Sequence, residues 1–335
     1  MSKLAVFTSL FALMVTTGVC PSWSMAQSVW QQPTSRNKMS LEIGAKIFDR
    51  PGDDSLAPVI TDSLTNTTLL NQEQATDFGS DFGVEVKVNV PGRFGQGFEF
   101  RSIITDWDQQ RTIFGNNLAS PFFPDPLDPA IPFVAPQTVI YDIESEFYSF
   151  ELMQKRVVRP GLTVSAGPRF ISTQDLILIS GITNTTDAAT GTAVTVTQDN
   201  DFEAKNSLIG LQLGLELNRP VAQSPSLYFT AFGRAGGYYN ATRFDTISST
   251  TDTTGALATF NQTRQTRSTE SFVAEAGGRL NFEIIPNSFA TFVGYEATVI
   301  DGIALASANV ANINPIDTNN TVFFHAITFG AKLSY

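Results

Sequence analysis

The chain of 335 residues has one cysteine, Cys20, and one histidine, His325. Cys20 lies in a leading segment that reads as a secretory signal. Lys3 is its positive n-region, Leu4 to Val15 its apolar h-region and Ser24-Met25-Ala26 a small-x-small cleavage site. Cleavage between Ala26 and Gln27 makes residues 1–26 the signal peptide and 27–37 a short N-terminal tail. The mature chain then has no cysteine, which excludes disulfides and thiolate metal sites. Acylation at Cys20 is the weaker reading, because Thr17 and Val19 stand where such a site prefers leucine-like and small residues. A lone histidine builds neither a nucleophilic triad nor a His-rich metal site. No catalytic residue, metal or cofactor is expected, and the chain is not expected to be an enzyme. Bases are scarce, with 21 Lys and Arg against 32 Asp and Glu, which argues against a nucleic-acid partner. Long apolar runs are also missing: after the signal, no stretch is apolar over the length of a spanning helix.

What the chain has is alternation. From Val322 to Tyr335 the odd positions Phe323, His325, Ile327, Phe329, Ala331, Leu333 and Tyr335 form a mostly apolar face, and the even positions a more polar one. That is a strand with lipid on one side and a lumen on the other. Its Thr328-x-Gly330-x-x-Leu333-x-Tyr335 pattern resembles the C-terminal insertion signal of bacterial outer-membrane barrels. That resemblance implies the barrel-assembly machinery as a partner during insertion. Nine earlier segments alternate in the same way: 38–48, 80–90, 95–107, 138–155, 161–173, 205–218, 226–239, 269–285 and 289–301. In 138–155 the apolar phase moves from Val139, Tyr141, Ile143 and Phe147 to Tyr148, Phe150 and Leu152, a shift that a bulge would explain. Short turns, mostly marked by Pro and Gly, follow every second segment. Long loops span roughly 49–79, 107–137, 174–204, 240–268 and 302–320. The expected fold is therefore all-β: a closed antiparallel transmembrane β-barrel of ten strands over 38–335, with short periplasmic turns and long extracellular loops. The expected location is the outer membrane of a Gram-negative-type bacterium, in contact with outer-membrane lipid and lipopolysaccharide. The barrel is expected to be a monomer, because closure removes sheet edges.

The acidic excess lies in the loops, while strands, turns and tail balance. Loop repulsion and solubility explain this at least as well as divalent-cation bridging to lipopolysaccharide or cation preference at a pore mouth. Within 174–204, Leu176–Ile179 and Thr192–Thr197 read as strand extensions above the membrane. The loop after Trp107 is apolar, with Ile113, Phe114, Leu118, Phe122, Phe123, Leu127, Ile131, Phe133 and Val134 among several prolines. Such a loop packs as a lid, constricts the lumen or binds a partner.

On the assigned phases the lumen is lined by Glu85, Lys87, Glu99, Arg101, Arg169, Arg234, Glu275, Arg279, Glu283, Glu296 and Lys332, because a charge facing lipid at the midplane costs about 2–4 kcal/mol. Gly210, Gly214, Gly277 and Gly294 share that inward phase, either to relieve crowding or to leave room for a solute. Mixed charge in a narrow barrel tends to pair and fill it. Two functions stay open: passive, porin-like passage of small polar solutes or ions through a narrow, loop-restricted lumen, or a non-conducting structural or surface-binding barrel.

Three stretches carry a family resemblance: Glu146–Ile171, Asn206–Asn240, and Phe272–Ala306 followed by the closing FFHAITFGAKLSY. Their most specific pieces are Gly294-Tyr295-Glu296, Asp301-Gly302-Ile303-Ala304-Leu305, and Glu151, Gly167 and Arg169. Together these resemble the β-barrel porin family numbered seven, found mainly in planctomycetes. Pro168 and the ending Lys332-Leu333-Ser334-Tyr335 depart from the family pattern; Pro168 fits at a bulge. The resemblance implies a barrel. The family is defined by shape, so the porin label implies no solute.

Overall fold

The computed structural model describes residues 38–335 except 51–57, 63, 66, 72–73, 75–78, 116–117, 120–135, 187–191, 222–223, 225, 254–256 and 310–315. The signal with Cys20, Ala26 and Gln27, the tail 27–37, and the apolar stretch from Phe122 to Val134 lie outside the described residues. The strands are β1 (Ser40–Asp49), β2 (Pro58–Asp62), β3 (Thr67–Asn71), β4 (Ser80–Pro91), β5 (Gln96–Phe114), β6 (Leu118–Ala119), β7 (Thr138–Arg159), β8 (Leu162–Thr186), β9 (Ala193–Pro220), β10 (Leu227–Asp252), β11 (Leu257–Ile285), β12 (Phe289–Ile303) and β13 (Asn320–Ser334). Among the described residues a 3-10 turn (Arg93–Gly95) and one α-helical turn, α1 (Ala306–Asn309), interrupt them.

Ten of these strands close into one antiparallel barrel in the ring order β1-β13-β12-β11-β10-β9-β8-β7-β5-β4, with β1 paired to both β13 and β4. Closure satisfies every strand from both sides, which a hydrocarbon surround requires. The outward face at membrane height is apolar on every wall. Ile43, Val84, Phe100, Leu152, Phe170, Leu213, Phe229, Phe282, Val293 and Phe329 all stand exposed there. A sealed ladder inside such a belt is a membrane-spanning cylinder, and cylinders of this kind belong to the outer membrane. The remaining strands form a small sheet, β3-β2-β6, on the long-loop side.

The short turns use the backbone their residues allow. Gly161 after Pro160 has φ +78°, and an added Cβ there would meet the Asn218 carbonyl oxygen at 2.5 Å. Asn287 takes φ 61° in the turn between β11 and β12, a conformation Asn tolerates.

The walls are uneven. Strands β7 to β11 run 22 to 29 residues, whereas β1 has 10, β4 has 12 and β12 and β13 have 15 each. A tilted crossing needs only about 9–11 residues, so β7 to β11 continue as a tall extracellular wall. The described parts of loop 174–204 are strand extension, with β8 and β9 in unbroken register to Thr186↔Ala193. The expected loop 240–268 is also mostly strand, since β10 reaches Asp252 and β11 begins at Leu257. Its Ser/Thr-rich composition hid that, because polar β-branched residues build a strand without an apolar face.

The expected bulge in 138–155 is absent. The β5–β7 register runs unbroken from Phe114↔Thr138 to Gln96↔Arg156. What changes is the surround. At membrane height Phe150 and Leu152 face lipid, and above it Val139, Tyr141, Ile143 and Phe147 face inward into a buried core. Apolar side chains point outward where the outside is hydrocarbon and inward where it is water. No bulge occurs at Pro168 either. Glu151↔Arg169 and Gln154↔Ala166 keep one register across the gap, so Pro168 only interrupts the ladder to β7.

Candidate functional site: a filled lumen

Nine of the expected lumen residues are buried inside the barrel: Glu85, Lys87, Glu99, Arg101, Arg169, Arg234, Glu275, Arg279 and Glu296. Lys332 and Glu283 are half-buried near the periplasmic rim, and Lys332 Nζ lies 3.3 Å from Glu42 Oε1. The buried charges meet one another across the lumen. Arg101 on β5 reaches Glu275 on β11 at 2.5 Å, and these strands are five places apart in a ten-strand ring, so the pair spans the diameter. The same guanidinium also meets Glu85 at 2.9 Å, Glu296 at 3.0 Å and Glu151 at 3.3 Å, with its side chain 1% exposed. Arg234 on β10 bridges to Glu99 on β5 at 2.8 Å and to Glu275 at 3.1 Å. Arg169 on β8 approaches Glu275 at 3.3 Å and takes Ser149 Oγ as acceptor at 2.9 Å. Arg279 on β11 holds Glu42 on β1 at 2.7 Å and lies 4.1 Å from the Phe292 ring centroid.

Several members of this layer are absent from the expected set. Lys46 pairs with Glu85 at 2.9 Å and also contacts Glu296. Glu42, Glu151 and Gln212 are buried beside them, and Lys155 joins Glu99 to Glu216. The signal was in the pattern: Glu42 and Lys46 are the polar positions opposite Leu41, Ile43, Ala45 and Ile47. Glu151 was obscured by the apparent phase shift in β7.

The inward glycines are crowding sites. A Cβ on Gly210 would fall 2.2 Å from the Gly237 oxygen, one on Gly277 2.6 Å from the Tyr295 oxygen, one on Gly214 2.4 Å from Ser165 Oγ, and one on Gly294 2.8 Å from the Gly278 oxygen. Each marks a close approach to the neighbouring strand that a side chain would not fit.

Above the charged layer, the end of β12 and the segment that follows it turn inward. Gly302 makes the bend at φ +82°, and Ile303, Ala304 and Ala306 are fully buried. The Asn206 carboxamide, from β9 across the lumen, donates from Nδ2 to the Ala304 oxygen at 2.8 Å and accepts from the Ala304 N–H at 2.9 Å. Asn240 Nδ2 and Thr242 Oγ1 donate to Asn206 Oδ1, each at 3.2 Å. Ser271 Oγ donates to the Gly302 oxygen at 2.7 Å. This two-point clasp imitates a strand pairing and pins the segment. The loop joins an aromatic layer. Trp107 stacks on Phe324 at 5.7 Å and meets Phe48 edge-on at 5.8 Å, and Phe147 lies 5.5 Å from Phe324. The small sheet completes the cover, with Val59, Ile60, Leu70 and Leu118 buried in the same apolar core. Of the described residues of the apolar loop, Leu118 is buried and Ile113 packs against the core, whereas Phe114 stays exposed.

Neither a family model nor a curated protein matches the chain. Among solved structures, the outer membrane protease OmpT from Escherichia coli is 7% identical, with 91% of this chain and 98% of that chain covered at a TM-score of 0.42. A Pseudomonas aeruginosa FadL homologue is 8% identical over 89% and 90% of the two chains, at a TM-score of 0.28. The toluene transporter TbuX of Ralstonia pickettii is 8% identical over 89% of each, at 0.31. Likeness at this level carries no role over to this chain.

His325 faces outward at the top of the belt. Its Nε2 lies 3.1 Å from Asp49 Oδ2, between the rings of Tyr295 and Phe323. On β13, Thr328 points inward and is buried, while Leu333 and Tyr335 face outward and exposed. The Tyr335 N–H donates to the Met39 oxygen at 3.0 Å beside the β1–β13 seam. Among the described residues, no group of three or more His, Cys, Asp or Glu could hold a metal ion.

Proposed function

We propose that this outer-membrane barrel does not conduct, and that it serves as a rigid, non-enzymatic anchor for its extracellular wall and loops. The observation carrying this reading is the Arg101–Glu275 pair across the full diameter, with the same guanidinium also meeting Glu85, Glu151 and Glu296. A solute would have to part several buried ion pairs together, and each carboxylate stripped of its partner would stand uncompensated in a dry interior. The inward loop at Ala304 and the aromatic layer at Trp107 stand in series above it. Passive passage of small polar solutes, the other reading of the sequence, needs all three layers to move. Kinship with β-barrel porin family seven is part of this proposal, on its motif residues. Glu151 and Arg169 belong to the charged layer, and Gly302, Ile303 and Ala304 form the inward bend.

Planar-bilayer recording on refolded, heat-modifiable protein is the test. The expected result is no discrete conductance steps. Reproducible steps whose size changes when Arg101 or Arg234 is replaced would sink the reading in favour of a pore.

A further inference from the structure

The periplasmic rim gathers arginines on one arc. Arg93 lies in the short turn between β4 and β5, Arg156 and Arg159 at the foot of β7, and Arg219 at the foot of β9. These feet are neighbours in the ring, with β8 between β7 and β9. Gln96 pairs with Arg156 across β5 and β7, and a Cβ on Gly95 would lie 3.6 Å from Val157 Cβ, so the Arg93 turn sits against the end of β7. On the other side, Arg219 Nη1 lies 3.9 Å from where a Cβ on Gly161 would stand, in the turn that follows Arg159.

No acid on this arc faces outward. Within 86–102, 150–168 and 209–231 the acids are Glu99, Glu151 and Glu216. All three point into the lumen and are held there: Lys155 meets Glu99 at 2.8 Å and Glu216 at 3.1 Å, and Glu151 belongs to the charged layer. The arginines outside have no such partners. Among the described residues nothing meets the guanidiniums of Arg93, Arg156 and Arg159, and all three side chains are exposed. The opposite arc differs, since Lys38 Nζ donates to the Asn287 oxygen at 3.1 Å and Lys332 pairs with Glu42.

Arg156 has a surround that points to its ligand. On β7 the lipid-facing phase reads Phe150, Leu152, Gln154, Arg156 and Val158, and Val158, beyond the arginine, is 59% exposed. Phe98 on β5 and Val164 on β8 flank it, both exposed in the same phase. An unpaired guanidinium among side chains that face hydrocarbon needs a counter-ion in the same layer. A soluble anion has nothing to set against the apolar neighbours. A glycerophospholipid supplies both halves: a phosphate for the guanidinium and acyl chains for Phe98, Leu152 and Val164.

We propose that Arg93, Arg156 and Arg159 hold the headgroup of an anionic glycerophospholipid from the periplasmic leaflet, with Arg156 on its phosphate. The guanidinium fork matches phosphate oxygens, and an arc with bases and no outward acid favours an anionic headgroup over a zwitterionic one. Arg219 adds to that field. The proposal rests on the membrane orientation and not on the closed lumen, so the two readings fail separately.

The test offers folded barrel in detergent a choice of phosphatidylglycerol or phosphatidylcholine with identical acyl chains, read by native mass spectrometry. Wild-type protein is expected to retain phosphatidylglycerol in preference by roughly tenfold or more. The Arg93→Gln/Arg156→Gln/Arg159→Gln triple variant should lose that preference, and Lys38→Gln on the opposite arc should keep it. Equal retention of the two lipids by wild type, an unchanged preference in the folded triple variant, or an equal loss in Lys38→Gln overturns the proposal. Complete displacement of the lipid by millimolar glycerol phosphate overturns it too, by making the site one for a soluble anion. If the triple variant does not fold, Arg156→Gln decides alone: reduced preference supports the lipid site, and unchanged preference refutes it.

Discussion

Arg101 shows how much one residue can hold. Its guanidinium is shared by four carboxylates from four other strands. Buried pairs of this kind contribute little net stability against an apolar alternative, but losing one partner leaves charge stranded. Arg101→Ala should therefore destabilise the folded barrel by about 3–5 kcal/mol, measured as a lowered urea midpoint in micelles. A shift below about 1 kcal/mol would mean that water already enters this layer. Surface carboxylates behave differently. The Glu144 carboxyl is held above its ordinary range by partial burial first, and then by the neighbouring carboxylates of Asp142, Asp108 and Glu146. A carboxyl raised in the folded state makes the protein lose stability as pH rises from the unfolded value through the folded one. Glu144→Gln should thus stabilise slightly at neutral pH, by at most about 0.5 kcal/mol for so exposed a group. The gain should vanish below about pH 4, and a gain that persists in acid would contradict this cause.

Among the elements, β7 teaches the most. Its alternation never breaks, yet its apolar face reverses along its length. Read as a string, that reversal is indistinguishable from an inserted residue. Read as a strand leaving a membrane, it follows from one register and two solvents. The segment after β12 was harder to foresee, because a loop's direction depends on a partner distant in sequence. Asn206 lies 98 residues before Ala304 and holds both of its backbone polar groups. Asn206→Ala should loosen 302–309 while leaving the barrel closed. Amide exchange at Ala304 should rise at least roughly tenfold, with heat-modifiable migration retained. Protection unchanged from wild type would show that apolar burial of Ile303 and Ala306 suffices to hold the loop.

At the scale of the whole molecule, ten strands make a cylinder near the size at which side chains fill the interior. The charged layer, the inward loop and the aromatic layer lie in series, so opening any one leaves two. The silence expected in bilayers should therefore survive Arg101→Ala, and conductance appearing in that variant alone would show that the upper layers do not seal. Strand number, closure, the lipid-facing residues and the identity of most lumen charges were determined by the sequence itself, because period-two alternation against hydrocarbon is a local constraint that each segment states separately. The tertiary structure alone decided which charges meet, that Glu42, Lys46 and Glu151 complete the layer, that 240–252 and 257–268 are wall and not loop, and that Gly302–Ala306 turns inward. Those outcomes depend on which strands face each other across a closed ring, and that is a property of the circle and not of any strand in it.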